Sequence, residues 1–214
     1  MIAVIDYGTG NLRSVAKAIE HVAPKSAVVV TSDAATIDAA ERIVFPGQGA
    51  MPDCMRYLQE AGLEGAVRRA AQSRPVLAVC IGEQMLFEYS EESRNPGVNT
   101  AGLGLFPGAV VRFRDADMRR AGTRLKVPHM GWNQVRQARP HPLWAGIADG
   151  DYFYFVHSYH VVPADERLTA GVSDYGITFT CAVARDNIFA TQFHPEKSAA
   201  AGLKLYENFT CWNP

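Results

Sequence analysis

No stretch of this chain approaches the ~18 consecutive apolar residues that a bilayer-spanning helix requires. The apolar opening Ile2-Ala3-Val4-Ile5 stops at Asp6 without a basic leader, far short of a signal-peptide core. A cytoplasmic location is therefore expected, away from any membrane. Neither sign of charge is in excess. Lys+Arg number 21 against 22 Asp+Glu, a formal net charge of −1, which removes the basic footprint of a general nucleic-acid binder. Cysteine is scarce and scattered: Cys54, Cys80, Cys181 and Cys211 form no C-x-x-C pair, so neither a zinc cage nor a disulfide scaffold is indicated. In a reducing compartment each thiol is then judged by its reactivity. The chain also lacks G-x-x-x-x-G-K-[ST] and a G-x-G-x-x-G following a strand, the loops that cradle phosphates. His157-x-x-His160 is not the helical H-E-x-x-H metal arrangement, and on one continuous strand the two rings would face opposite sides. No metal and no cofactor is expected.

What is present is an ordinary globular balance, 48% hydrophobic and 20% charged, which argues against a disordered tail protein. Its 214 residues fit one α/β domain, expected to span 1–214. In the first 90 residues short apolar runs alternate with amphipathic stretches. Ile2–Ile5, Val28–Val30, Ile43–Phe45 and Val76–Val79 read as buried strands. Leu12, Val15, Ile19 and Val22 recur at helical spacing. A helical region is expected from about Met51 to Ser73, broken near Gly62, and another from Gly82 to Tyr89. Continuous apolar strands separated by helices indicate a parallel sheet covered on both faces, with ligands at the carboxyl ends of its strands. Gly8, Gly47 and Gly82 all lie in turns after such strands. In the second half, Val110–Phe113, Tyr152–Val156, Tyr159–Val162, Thr178–Ala184 and Ile188–Gln192 are strand-like and linked mostly by turns, so they read as an antiparallel extension of the same sheet. A last helix from Ser198 to Cys211 would bury Leu203, Tyr206 and Phe209.

Two strand ends carry the chemistry. Cys80 stands at the junction of a buried strand and a helix, in Ala78-Val79-Cys80-Ile81-Gly82-Glu83-Gln84. A nucleophile there projects from a tight turn at the top of the sheet, and the helix N-terminus favours a thiolate and offers the backbone N–H of Ile81 to an oxyanion. Taken alone, Cys80 reads more readily as a buried core cysteine, the usual fate of a lone thiol. The second strand end is Phe193-His194-Pro195-Glu196-Lys197-Ser198. Pro195 keeps His194 extended, so His194 and Glu196 point to one side, where a carboxylate can fix the tautomer of an imidazole that activates a thiol. A strand-end Cys and a strand-end His-Pro-Glu on one sheet together indicate nucleophilic catalysis.

A-V-C-I-G-E-Q plus H-P-E resembles the class I (triad) glutamine amidotransferase family. Asp6-Tyr7-Gly8-Thr9-Gly10-Asn11-Leu12, Pro46-Gly47-Gln48-Gly49, Pro128-His129-Met130-Gly131-Trp132-Asn133 and His194-Pro195-Glu196-Lys197-Ser198 narrow the resemblance to glutaminase subunits of imidazole glycerol phosphate synthases, in histidine biosynthesis. It covers essentially the whole chain, with the motifs in order. The resemblance implies a flavodoxin-like fold: a mixed sheet with a parallel core and an antiparallel extension, and helices on both faces. It implies Cys80, His194 and Glu196 as catalytic triad, and an oxyanion hole completed by Gln48 and Gly49. For binding glutamine it implies Gly47, Gln84, His157, Ser158 and Tyr159. The implied partner is a cyclase subunit with a (β/α)8 barrel fold that receives ammonia within a heterodimer, and Asn11, Met130, Trp132, Asn133, Tyr154 and Lys197 match positions near that interface. The same glutaminase could serve another synthase, such as an amidine-forming enzyme of sugar biosynthesis. Two positions depart from the family pattern. Ala78 replaces a usual glycine. Glu83 stands where Met is common, and because its charge would oppose a thiolate, it is expected to face away from Cys80.

Overall fold

The computed structural model describes residues 1–122 and 125–214. Strand β1 (Ile2–Ile5) is apolar and buried at every position, as a strand covered on both faces must be. Helix α1 (Leu12–Val22) returns the chain and buries Val15, Ala16, Ala18 and Ile19. Strand β2 (Val28–Thr31) leads to α2 (Ala34–Ala39), whose first turn is capped by Asp33 accepting from the Thr36 N–H at 2.9 Å. After β3 (Arg42–Gly47) come α3 (Met51–Glu60) and α4 (Glu64–Ser73), separated at Gly62 with φ +68° as the sequence predicts. Strand β4 (Val76–Cys80), buried throughout, runs directly into the short α5 (Ile81–Met85). Strands β2, β1, β3 and β4 lie side by side and parallel. Right-handed crossovers then put α1 on one face and α2 to α4 on the other.

The second half supplies β5 (Phe87–Ser90), β6 (Thr100–Ala101), β7 (Phe106–Arg112), β8 (His129–Gln134), β9 (Arg136–Gln137), β10 (Tyr152–His157), β11 (Tyr159–Pro163), β12 (Thr169–Tyr175), β13 (Ile177–Arg185) and β14 (Ile188–Thr191). β14 adds to the parallel core beside β4, with Thr191 opposite Val79, and turns back through Asp186-Asn187 into antiparallel β13. β13, β11 and β7 continue antiparallel, completing a twelve-stranded mixed sheet with the expected parallel core and antiparallel extension. Helix α6 (Ala199–Cys211) packs against α1. It has no side-chain cap; Leu205, Tyr206 and Phe209 are fully buried, at about 1.5–3 kcal/mol for each large apolar side chain, so packing holds it in place. Gly202 makes its close seat possible, since a Cβ there would collide with the Pro195 carbonyl. Among the described residues no helix is long and apolar enough to cross a membrane.

Two expectations fail. The helix after Cys80 ends at Met85 instead of reaching Tyr89, because the carbonyls of Met85 and Leu86 accept from Leu103, Leu105 and Phe106 of the next hairpin and Phe87 packs on Phe106. Strand β10 does not join the main sheet. It pairs with β8 in a separate two-stranded sheet, from Tyr152 opposite Gln134 to His157 opposite His129. The chain then bends at Ser158, so His157 and His160 do not share one continuous strand, and both rings pack on Phe113, at 5.2 and 4.8 Å.

Candidate active site

Adjacent parallel strands β4 and β14 end at the same edge of the sheet, and that places Cys80 and His194 together. Cys80 has φ +58° and ψ −112°, a backbone conformation that costs a side-chain-bearing residue about 1–3 kcal/mol and persists only when its surroundings enforce it. They do so through backbone contact. A Cβ on Gly82 would strike the Phe45 carbonyl, and one on Gly47 would sit 2.8 Å from both the Gly82 nitrogen and the Ile81 Cβ. The turn after β3 thus lies directly against the turn after β4, with Gly47 opposite Cys80. Tyr7 OH donates to the Pro46 carbonyl at 2.9 Å, and Thr9 Oγ1 and Cys54 Sγ donate to the Gln48 carbonyl at 2.6 and 3.3 Å, fixing that loop from below.

On the facing side, His194 Nδ1 donates to Glu196 Oε1 at 2.9 Å, and Tyr206 OH donates to the other carboxylate oxygen at 3.4 Å. The His194 carbonyl accepts from Ser198 Oγ at 2.6 Å, and its N–H donates to the Tyr154 carbonyl at 2.9 Å. The remaining ring nitrogen, Nε2, is buried and has no hydrogen-bond partner among the described residues. Burial disfavours charge on this imidazole, but Cys80 and then Glu196 outweigh it and raise its pKa to about 10.

Between the two sides lies a cavity of about 300 Å³. Cys80, Ile81, Gln48, Gly49, Gln84, His157, Ser158, Tyr159, His194 and Lys197 line it, so most of the residues singled out in the sequence meet there. Gln84 is buried. Its Nε2 donates to Gln192 Oε1 at 2.8 Å and the Tyr159 carbonyl at 3.3 Å, while its Oε1 is left as a free acceptor. Gln192, fully buried, in turn directs Nε2 toward Cys80 Sγ at 3.8 Å. Neither Gln192 nor Glu92, a further cavity residue, stands out in the sequence; the position of Gln192 two residues before His194 was the available signal.

A cysteine on a strained strand–helix turn, opposite a carboxylate-bound histidine, is an arrangement for acyl transfer. The family model for "Glutamine amidotransferase class-I" matches residues 3–211. The chain belongs to the class-I glutamine amidotransferases. Amidotransferase relatives are close in sequence. The protein named "Imidazole glycerol phosphate synthase subunit HisH" in Aromatoleum aromaticum is 65% identical over 100% of this chain and 99% of its own length. Its namesake in Dechloromonas aromatica is 63% identical, covering 100% and 97%. Among solved structures, a glutamine amidotransferase superposes with TM-score 0.69 at 16% identity, covering 98% of this chain and 97% of that one. At that identity the likeness shows a shared fold.

Against this amidotransferase background, Glu83 behaves otherwise than its charge predicts. It is fully buried with both oxygens unpartnered among the described residues, and burial, with a smaller push from Cys80, raises its pKa well above the ordinary carboxylate value. That shift favours the uncharged carboxyl and so weakens the repulsion the sequence raises. Cys54 and Cys181 are buried, whereas Cys211 is exposed at the end of α6. Of the remaining residues, Trp132 and Tyr154 meet edge to face at 6.1 Å, and Lys197 Nζ lies 5.7 Å from the Tyr154 ring. Met130 and Trp132 share the exposed face of β8. Asn133 points to the inner face, and Asn11 precedes α1 without capping it.

Proposed function

We propose that this chain is the glutaminase subunit of an imidazole glycerol phosphate synthase and that Cys80, His194 and Glu196 form its triad. The observation carrying the assignment to this synthase is the 65% identity, along the whole chain, to a protein of that name. Support for the triad comes from Cys80 and His194 at neighbouring strand ends with Glu196 on the far ring nitrogen.

In this reading Cys80 Sγ attacks the side-chain amide carbon of glutamine, and His194 Nε2 takes the thiol proton. The Ile81 N–H and the Gln48–Gly49 peptide receive the oxyanion. The imidazolium, oriented by Glu196, returns its proton to the amide nitrogen, so that ammonia rather than amide anion leaves. A γ-glutamyl thioester remains. Water, deprotonated by the same His194, attacks it; the thiol leaves with the proton and glutamate is released. Gln84 Oε1, the free acceptor in the cavity, serves an N–H of glutamine, and the backbone around His157, Ser158 and Tyr159 completes the subsite together with Gly47.

Residues 1–214 act as one glutaminase domain, in the cytoplasm, and pass ammonia to a cyclase partner, a (β/α)8 barrel, in a heterodimer. Exposed Met130 and Trp132, beside Tyr154 and Lys197, suit the docking face, since large aromatic side chains anchor interfaces; Asn11 and Asn133 are the further positions this reading assigns to it. The test measures glutamine hydrolysis with and without the cyclase and its ligand. Weak turnover alone and strong stimulation in the complex are expected. Full activity without any partner would defeat the subunit reading, and undiminished turnover in Cys80→Ser would defeat the triad.

A further inference from the structure

Three buried histidines lie behind the cavity, and only His157 reaches it. His129 is 3% exposed and stands directly across the β8–β10 pair from His157. Its ring is stacked on Tyr175 at 3.9 Å and on Phe155 at 4.8 Å. Within that aromatic packing runs an unbroken line of hydrogen bonds. Asn133 Nδ2 lies 3.3 Å from His129 Nε2, His129 Nδ1 lies 2.9 Å from His157 Nε2, and His157 Nδ1 lies 2.8 Å from the Tyr159 carbonyl.

Both ends of this line dictate the same proton positions. At the inner end the Tyr159 carbonyl can only accept, so His157 carries its proton on Nδ1. The ring is neutral: burial, then the neighbouring His129, hold its pKa well below the ordinary value. Its Nε2 is therefore an acceptor, and His129 must donate from Nδ1. At the outer end Asn133 Oδ1 accepts from the Gln134 N–H at 2.8 Å, and Nδ2 donates to the Asp174 carbonyl at 2.9 Å. That fixes the amide with its nitrogen toward His129, whose Nε2 must accept. His129, which burial brings down to about 4, is neutral and has one proton to place. The two independent ends agree on Nδ1.

We propose that His129 is a positioning residue: its Nδ1–H locks the ring of His157 and so ties the Asn133 end of β8 to the glutamine-contacting segment 157–159. This rests on the glutaminase reading above. The tie matters because alternate residues of β8 face opposite ways. Met130 and Trp132 are exposed on the face assigned to the cyclase, while His129 and Asn133 between them hold the substrate segment. A shift of β8 on docking would be felt directly at Ser158 and Tyr159.

Two substitutions separate the hydrogen bond from the packing. His129→Phe keeps a flat ring between Tyr175 and Phe155 but removes the donor, whereas His129→Asn loses the ring and keeps an N–H where Nδ1 stood. With the full chain and its cyclase, His129→Phe is expected to raise KM for glutamine about tenfold with little change in kcat, and His129→Asn to stay near wild type. An unchanged KM in His129→Phe overturns the proposal, as does an equal rise in both variants, which would assign the effect to packing. Nitrogen-15 shifts of the imidazoles in the free chain provide a readout independent of turnover. Both rings should be neutral Nδ1–H tautomers at pH 7; an Nε2–H tautomer at His129 refutes the line of donors. A wild-type complex that hydrolyses no glutamine would instead defeat the functional reading, and the tautomers would still report on the line itself.

Discussion

Cys80 stands on a turn whose closest contacts are backbone against backbone, whereas His194 stands on a turn held mainly by hydrogen bonds that involve side chains. On the first side the tightest contacts are Gly82 on the Phe45 carbonyl and Gly47 on the Gly82 nitrogen, backbone atoms that cannot swing aside as a side chain can. On the second, Glu196, Tyr206 and Ser198 each contribute one or two bonds at 2.6–3.4 Å. Steric placement fails abruptly, because overlap cannot be shared among neighbours. A hydrogen-bonded turn degrades by steps, because each bond is worth only about 0.5–1.5 kcal/mol net. The two sides should therefore respond differently to substitution.

The largest effect is expected from the reacting atom itself. Cys80→Ser should lower glutamine turnover about 10⁴-fold with the fold intact, checked by steady-state kinetics and circular dichroism. Gly82→Ala tests the steric side: its methyl meets a backbone oxygen, so a loss of about 3 kcal/mol or more in urea unfolding is expected, along with activity. A mild, activity-only phenotype would break the contrast. Acid should act behind both turns, on the buried histidines of β8 and β10. His129 is neutral in the fold, with its pKa down at about 4, but takes up a proton in the unfolded chain below about 6.5. The unfolded state thus binds more protons between these values. The stabilisation is complete above about pH 6.5 and falls away toward pH 4, by about 3 kcal/mol for this group. Urea midpoints at pH 7.5 and 4.5 measure it, and His129→Phe should flatten the slope. Glu196→Gln keeps an acceptor for His194 but removes the charge that stabilises the imidazolium, so kcat should drop about a hundredfold. Smallest of all, Tyr206→Phe removes one long 3.4 Å bond and should cost turnover only about threefold. A loss there as large as that of Glu196→Gln would blur the distinction between the two sides.

The parallel core was legible because its strands are continuous apolar runs, a pattern that only double-sided burial explains. Cys80 and His194 could be read from their positions at strand ends. What could not be read had contacts distant in sequence. His129-Met130-Gly131-Trp132-Asn133-Gln134 mixes polar and aromatic residues because its two faces do different things, and so carries no apolar signature of β8. The end of α5 at Met85 depends on acceptors claimed by residues 103–106. Glu83 is expected to avoid the thiol because a carboxylate would; burial instead pushes its pKa up and favours the uncharged acid, and no local pattern announces burial of a glutamate. Gln192 is the last residue before Phe193-His194 in an ordinary strand, and only the meeting of β4 with β14 brings its amide to Cys80.

The backbone of Cys80 ties the aim of the thiol to the turns around it. A residue held at φ +58° relaxes as soon as the walls around it loosen, and those walls are the two glycine turns rather than the sheet as a whole. On warming, the thiol should lose its aim several degrees before the strands part, and cooling should restore it without refolding.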